Sequence, residues 1–203
     1  IPYNNKVVWA NNDKLIAKPL SSSGSRGIQI VKNGDILPSN DYIIEKYIDD
    51  KYDRLSIDGY IYNNDIDILC IWDSIYDINN PLLFRYLIKP SKYNNNVLLK
   101  NKYIEVVSEL KHKTNCTNII VNIEFFYING IFSVMEINPR IGVNYIPIFH
   151  VSGYNPWLVM DNLTNNKRPQ KTEIEQNGVC RYNYINRSKP FYIDHDTNTF
   201  SIL

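Results

Sequence analysis

The chain has 203 residues, 44% of them hydrophobic and 21% charged. That is an ordinary globular balance, with length for one compact domain or two small lobes sharing a cleft. A formal net charge of +1 provides no basic surface for nucleic acid or an anionic membrane, and no apolar run approaches the roughly 18 residues of a membrane span. The three cysteines, Cys70, Cys116 and Cys180, are far apart and odd in number. They fit neither a disulfide framework nor zinc spacing, so a reducing, cytoplasmic setting is expected. The chain opens on Ile1 without a signal-peptide pattern, as a processed chain or a fragment of something longer would.

In chain order, Lys14 to Pro19 reads as a short strand ended by Pro19, which has no amide donor. The small-residue loop Ser21-Ser-Ser-Gly-Ser-Arg-Gly27 follows, then a returning strand, Ile28 to Val31, closed by a turn at Asn33-Gly34. Asp41 to Ile48 is a further strand, and Asp49 to Asp53 is polar and turn-like. Leu55 to Tyr62 and Asp67 to Trp72 alternate as a strand pair around Asn63-Asn64. Leu82 to Ile88 reads as a strand. Val97 to Lys113 reads as a helix capped by Asn96, with Leu99, Tyr103, Val106, Val107 and Leu110 on one face. A hairpin over 118–138 comes next, then short helices at Tyr145 to Val151 and Pro156 to Leu163 separated by Gly153, and strand-like stretches at 179–185 and 199–203.

The hairpin carries the chemistry. Asn129-Gly130 between apolar runs is a strong hairpin signal because both residues tolerate positive φ. The turn brings Glu124 near Glu136 and Asn138, which are two apart and so share a face, with Arg140 just beyond. Carboxylates among Ile, Phe, Val and Met are costly without a compensating cation, and hard oxygen ligands of this kind suit Mg²⁺ held jointly with phosphates. Two acids on neighbouring strands are also compatible with a solvent face or a glycosidase pair, in which Lys18 and its loop have no role. A Gly/Ser loop between strands can fold its amides over phosphates. This one is neither a Walker motif, since no Gly-Lys-Ser/Thr follows, nor a dinucleotide fingerprint, since it returns into a strand; a plain hairpin tip has the same composition. Lys18, flanked by Ile16, Ala17 and Pro19, either snorkels or meets an anion. The histidines lack metal spacing, and no nucleophile elbow occurs.

Lys18-Pro19, the Ser/Gly loop, Glu45-Lys-Tyr-Ile48 and Glu136-Ile-Asn-Pro-Arg140 occur in that order at suitable separations. Over roughly residues 5 to 165 the chain resembles the ATP-grasp superfamily, specifically the ATP-binding lobes of carbamoyl-phosphate synthase and related carboxylate–amine ligases. The resemblance implies an α+β fold of two lobes with mainly antiparallel sheets gripping a nucleotide. Residues 1–48 would be the small lobe with the phosphate loop, and 49–203 the large lobe with the metal site and an unassigned tail. Lys18 matches the lysine on the α- and β-phosphates. Ser23, Gly24, Ser25 and Gly27 match the loop closing on the β- and γ-phosphates. Glu45, Lys46, Tyr47 and Ile48 match the hinge at the adenine edge, and Phe126 an apolar position against the adenine ring. Glu124, Glu136 and Asn138 match ligands of Mg²⁺ (or Mn²⁺), and Arg140 an arginine facing the γ-phosphate. Lys18 and Arg140 are thereby the catalytic candidates. The implied reaction forms an acyl phosphate from a small-molecule carboxylate and ATP, then passes it to an amine or other nucleophile. ADP and phosphate leave. The alternative is a non-catalytic nucleotide-binding or regulatory module.

The sequence also departs from the family pattern. Arg54 falls where relatives carry an acid for the ribose hydroxyls, with Asp53 as the substitute. After Arg140 the chain reads Ile141-Gly-Val-Asn-Tyr145, without the Gln-Val-Glu-His run of biotin carboxylation, and the Gly-Val-Asn-Tyr-Ile-Pro run resembles amino-acid ligases. A preceding domain and a second phosphate-contacting cation are absent, so an N-terminal domain of the same protein or a partner chain is expected to complete the site.

Overall fold

The computed structural model describes residues 7, 13–22, 25–39, 41–49, 51–77, 79–80, 82, 84–141, 153–170, 180–183, 191–194 and 199–202. The chain divides into two compact units, residues 1–51 with 77–83, and residues 52–76 with 84–203.

The first unit is a three-stranded antiparallel sheet, with β1 (Leu15–Pro19) between β2 (Gln29–Val31) and β3 (Tyr42–Lys46). Alternation gives it one apolar face, where Leu15, Ala17 and Val31 pack with Val7 and Leu37 under Tyr42 and Ile44. Ile16, Lys18, Ile43 and Glu45 take the other face, since Ile16 pairs with Glu45 and Lys18 with Ile43.

The second unit is built on a six-stranded antiparallel sheet. Its strands are β4 (Asp53–Tyr62), β5 (Asp65–Tyr76), β6 (Phe84–Lys89), β7 (Ile119–Ile128), β8 (Ile131–Asn138) and β9 (Cys180–Asn183), in the order β8-β7-β4-β5-β6-β9. A further hairpin pairs β10 (Phe191–Asp194) with β11 (Thr199–Ile202), and β10 has no counterpart in the expected elements. The β7–β8 turn has φ of 49° at Asn129 and 91° at Gly130, the geometry that favours Asn-Gly.

The helix α1 (Val97–Thr114) is capped as expected, Asn96 accepting from the Leu99 amide. Asn115 closes it in the left-handed region, and Lys111, His112 and Lys113 complement the helix dipole. Leu99, Tyr103 and Val107 bury against Leu55, Ile57, Ile61, Ile71, Val121, Ile123 and Phe125. The Tyr103 hydroxyl donates to the Val121 carbonyl at 2.9 Å. Gly59 is required beside it, because a Cβ there would meet the Asp67 carbonyl oxygen at 2.3 Å and the Tyr103 hydroxyl at 2.4 Å. On the opposite face, α2 (Pro156–Thr164) sets Val159 and Leu163 against Tyr60, Trp72 and Ile120. The helix expected at Tyr145 to Val151 lies outside the described residues.

Candidate functional site

The sheet face opposite α1 changes character along its strands. One end is apolar and lies under α2. The other carries Arg54, Ser56 and Asp58 on β4, Asn122, Glu124 and Phe126 on β7, and Glu136 and Asn138 on β8. Register aligns these residues in rows: Ser56, Glu124 and Glu136 form one, and Asp58, Asn122 and Asn138 the next. A bulge makes the second row reachable from β8. Glu124 pairs with Glu136, but Phe125 pairs with Val134, so Met135 is the extra residue. Before the bulge, Phe132 packs on the α1 side. After it, Glu136 and Asn138, of the same parity, point to the other side beside Glu124.

Directly opposed like charges are unfavourable in a sheet. Burial first, then the charges of Glu136 and Asp58, push the Glu124 carboxyl up to about 7 against the opposing pull of Arg54 and Arg140. A cation shared by the two glutamates would remove this cost. The donor set of two carboxylates and the Asn138 amide oxygen is hard and suits Mg²⁺ or Mn²⁺. Among the described residues no group of three or more His, Cys, Asp and Glu could hold a metal ion.

Behind the glutamates lies a polar chain. Asp58 is fully buried and accepts hydrogen bonds from Trp72 Nε1 at 3.2 Å and Asn122 Nδ2 at 3.0 Å. Asn122 Oδ1 accepts from Asn138 Nδ2 at 3.4 Å, and Asn138 Oδ1 accepts from Arg140 Nη2 at 3.2 Å. Asp58, Trp72 and Asn122 were not among the sequence candidates. The available signal was an acid two residues from Ser56 and Tyr60, on the polar parity of a strand whose other parity is Leu55, Ile57 and Ile61.

Glu124, Glu136, Asn138 and Arg140 are therefore brought together within the second unit. Phe126 is on the same face, and its ring lies beneath the Arg54 guanidinium, 5.2 Å from ring centroid to cation; the Tyr76 ring is 4.1 Å from the same cation. Asp53 takes the α1 parity instead. There it meets Tyr93 Oη at 2.5 Å and Lys92 Nζ at 2.7 Å. Burial pushes its carboxyl upward, but the bonds from Lys92 and Tyr93 outweigh that and hold it below the usual range.

In the first unit Lys18 Nζ is 2.5 Å from Glu45 Oε2, so two of the candidates pair with each other on the non-core face. Lys46 pairs with Asp13 at 3.2 Å. The Tyr47 amide donates to the Lys14 carbonyl at 2.9 Å, and Lys14 Nζ sits 4.1 Å above the Tyr47 ring. Ile48 follows, half-buried. In the loop, Ser25 and Gly27 have φ of 58° and 75°, and Ser22 Oγ donates to the Arg26 carbonyl at 2.6 Å. Ser23 and Gly24 lie outside the described residues.

The fold is similar to that of solved structures. The biotin carboxylase domain of Hydrogenobacter thermophilus 2-oxoglutarate carboxylase, in complex with MgADP, ADP and bicarbonate, matches with a TM-score of 0.62 at 18% identity, over 82% of this chain and 40% of that one. N5-carboxyaminoimidazole synthetase from Staphylococcus aureus matches with 0.61 at 15% identity, over 79% and 42%. Carboxyaminoimidazole ribonucleotide synthase from Aspergillus clavatus, complexed with ATP, matches with 0.65 at 11% identity, over 82% and 44%. The chain thus spans about two fifths of the length of these proteins, and at such identities the likeness is one of fold. No curated protein matches the sequence. The sequence family described as the ATP-grasp domain matches residues 1–143, most of the chain. With the antiparallel sheets and the Glu124–Glu136 hairpin in place, this protein belongs to the ATP-grasp family.

Proposed function

We propose that this chain supplies the nucleotide- and metal-binding part of an ATP- and Mg²⁺-dependent ligase that joins a small-molecule carboxylate to an amine or other nucleophile and releases ADP and phosphate. The observation that carries the reading is the register of Glu124 opposite Glu136, with Asn138 and Arg140 on the same face. Glu124, Glu136 and Asn138 would hold Mg²⁺, which when bound neutralises charge on the triphosphate. Lys18 exchanges Glu45 for phosphate oxygens, while Ser23, Gly24, Ser25 and Gly27 close over them and exclude water from the reactive intermediate. Glu45 to Ile48 meet the adenine. A substrate carboxylate oxygen attacks the γ-phosphorus, and the bond to the β–γ bridging oxygen breaks with its electron pair leaving on ADP. Arg140 faces the transferring group. The amine nitrogen then attacks the acyl carbon, phosphate departs, and the nitrogen loses its proton to solvent. The absence of a Gln-Val-Glu-His run after Arg140 argues against biotin as the acceptor. Among the described residues Cys70 and Cys116 are in no disulfide, and a cytoplasmic setting is part of the same proposal.

A non-catalytic nucleotide-binding module is the second reading. It is favoured by Arg54 at the ribose-acid position and by Asp53 on the opposite face, engaged by Lys92 and Tyr93. Calorimetric titration with ATP and a non-hydrolysable analogue, with and without Mg²⁺, beside Glu136→Ala, tests the site. Metal-dependent binding lost in the variant is the expected result, and binding indifferent to metal and to Glu136 rejects the site. ADP release by the full-length protein that depends on an added carboxylate selects the ligase. Nucleotide binding without such release, across a carboxylate and amine screen, selects the module.

A further inference from the structure

We propose that Asp58 is a positioning residue that sets the direction of a side-chain relay through Asn122 to Asn138, so that Asn138 presents oxygen rather than nitrogen to the cation. The inference rests on the metal-site reading above and adds the buried group that makes that site competent.

The argument is one of donor and acceptor counting. The Trp72 indole can only donate, and it donates to Asp58 Oδ2. The Asp58 carboxylate can only accept, so Asn122, 3% exposed, turns its NH₂ to Asp58 Oδ1. Its carbonyl oxygen is then directed at Asn138, which answers with its own NH₂. That leaves Asn138 Oδ1 on the outer side, where Arg140 Nη2 approaches it. An asparagine amide has no intrinsic preference for either orientation, and reversing it would aim an NH₂ at a divalent cation. A charge buried behind the ligands therefore fixes which atom of the last amide faces out. The three residues lie in one cross-strand row, Asp58 opposite Asn122 and Asn122 opposite Asn138, so backbone pairing holds the relay in line.

Asp58→Asn keeps the shape and inverts the logic. Trp72 still demands an acceptor, so the introduced amide gives its oxygen to Trp72 and its NH₂ to Asn122. Asn122 then turns its NH₂ to Asn138, and Asn138 presents NH₂ outward. Adding Asn138→Asp satisfies the inverted relay, because a carboxylate there accepts from Asn122 and still offers oxygen to the metal.

Two measurements decide it. In the metal-free chain, NMR should detect a through-hydrogen-bond coupling from Asn122 Nδ2 to Asp58 Cγ, which disappears in Asp58→Asn; its absence from the folded wild-type chain overturns the relay. This arm needs no metal, so it stands even if the ligase reading fails. In the second arm, Mn²⁺ binding in the presence of ATP is titrated by electron paramagnetic resonance. Asp58→Asn should weaken Mn²⁺ by about 10- to 100-fold, the usual loss when a residue supporting a ligand is changed. Asn138→Asp should restore most of that loss in the Asp58→Asn background and gain much less in the wild type. Equal gains in both backgrounds, or unchanged affinity in folded Asp58→Asn, overturn the proposal. Trp72→Phe breaks a buried hydrogen bond but leaves the charge, so a merely structural role predicts as large a loss of Mn²⁺ there, and the relay predicts little. If Asp58→Asn does not fold, the double variant with the relay's bonds satisfied in reverse should; its failure to fold also overturns the proposal. A wild-type chain that shows the coupling but binds no Mn²⁺ with ATP rejects the metal-site reading and leaves the relay supported.

Discussion

The two faces of the six-stranded sheet are made from the same strands and do opposite work. On the α1 face, Leu55, Ile57, Val121, Ile123 and Phe125 disappear under Leu99, Tyr103 and Val107. On the other, Arg54, Ser56, Asp58, Asn122 and Glu124 occupy the intervening positions of β4 and β7. The first face supplies stability through buried apolar area. The second costs stability, because it sets Glu124 against Glu136 and buries Asp58. A sheet of period two can carry both only because each side chain is committed to one face. The site is then rigid because its backbone is the core's backbone.

This contrast can be broken or sharpened by substitution. Leu99→Ala on the core face is expected to cost about 3 kcal/mol of unfolding free energy, while the folded chain keeps its nucleotide affinity; denaturant melts paired with calorimetry measure both. On the polar face, Glu136→Ala should do the reverse. Turnover in the full-length protein should fall by at least about 100-fold, with stability unchanged or slightly raised since the Glu124–Glu136 repulsion is relieved. A Glu136→Ala chain that melts early but turns over normally would erase the distinction between the faces.

The pH dependence of stability is a finer probe. The folded-state value of Glu124, about 7, lies above its ordinary 4.5. Between those values the native chain holds a proton that the unfolded chain has lost. Stability without metal should therefore fall as pH rises through that window, by about 2 kcal/mol after allowance for partial exposure. The full loss is present above pH 7. Glu124→Gln should flatten the curve, and Mg²⁺ with ATP should raise the melting temperature most on the alkaline side. The smallest effect concerns the core face alone. Asn96→Ala removes the α1 cap and should cost about 1 kcal/mol, with no change in metal affinity.

Much of the fold was legible. Asn-Gly at 129–130 and the apolar runs beside it specify the hairpin, because positive φ at both turn residues is a local demand. The periodicity of Leu99, Tyr103 and Val107 specifies α1 and its buried face. The cluster of Glu124, Glu136, Asn138 and Arg140 was legible for the same local reason, since a tight turn brings its flanks into register. The pairing of Lys18 with Glu45 was not legible, because their approach depends on β1 pairing with β3 across an intervening strand and loop.

Asp58 and Asn122 were not legible as site residues, and neither was the face taken by Asp53. These depend on the pairing of β4 with β7, which joins strands separated by α1 and two other strands. The bulge at Met135 is a clear instance of the limit. Phe132, Val134, Glu136 and Asn138 share one parity in the sequence, and simple alternation would put them on one face. By itself the sequence determined most of the described elements, the turn and the carboxylate pair, because period, capping and turn chemistry act over a few residues. Only the tertiary structure decided the phase of β8, the row behind the glutamates and the partner of each charge. Register and burial are set by strands far apart in the chain, and a one-residue slip exchanges the two faces.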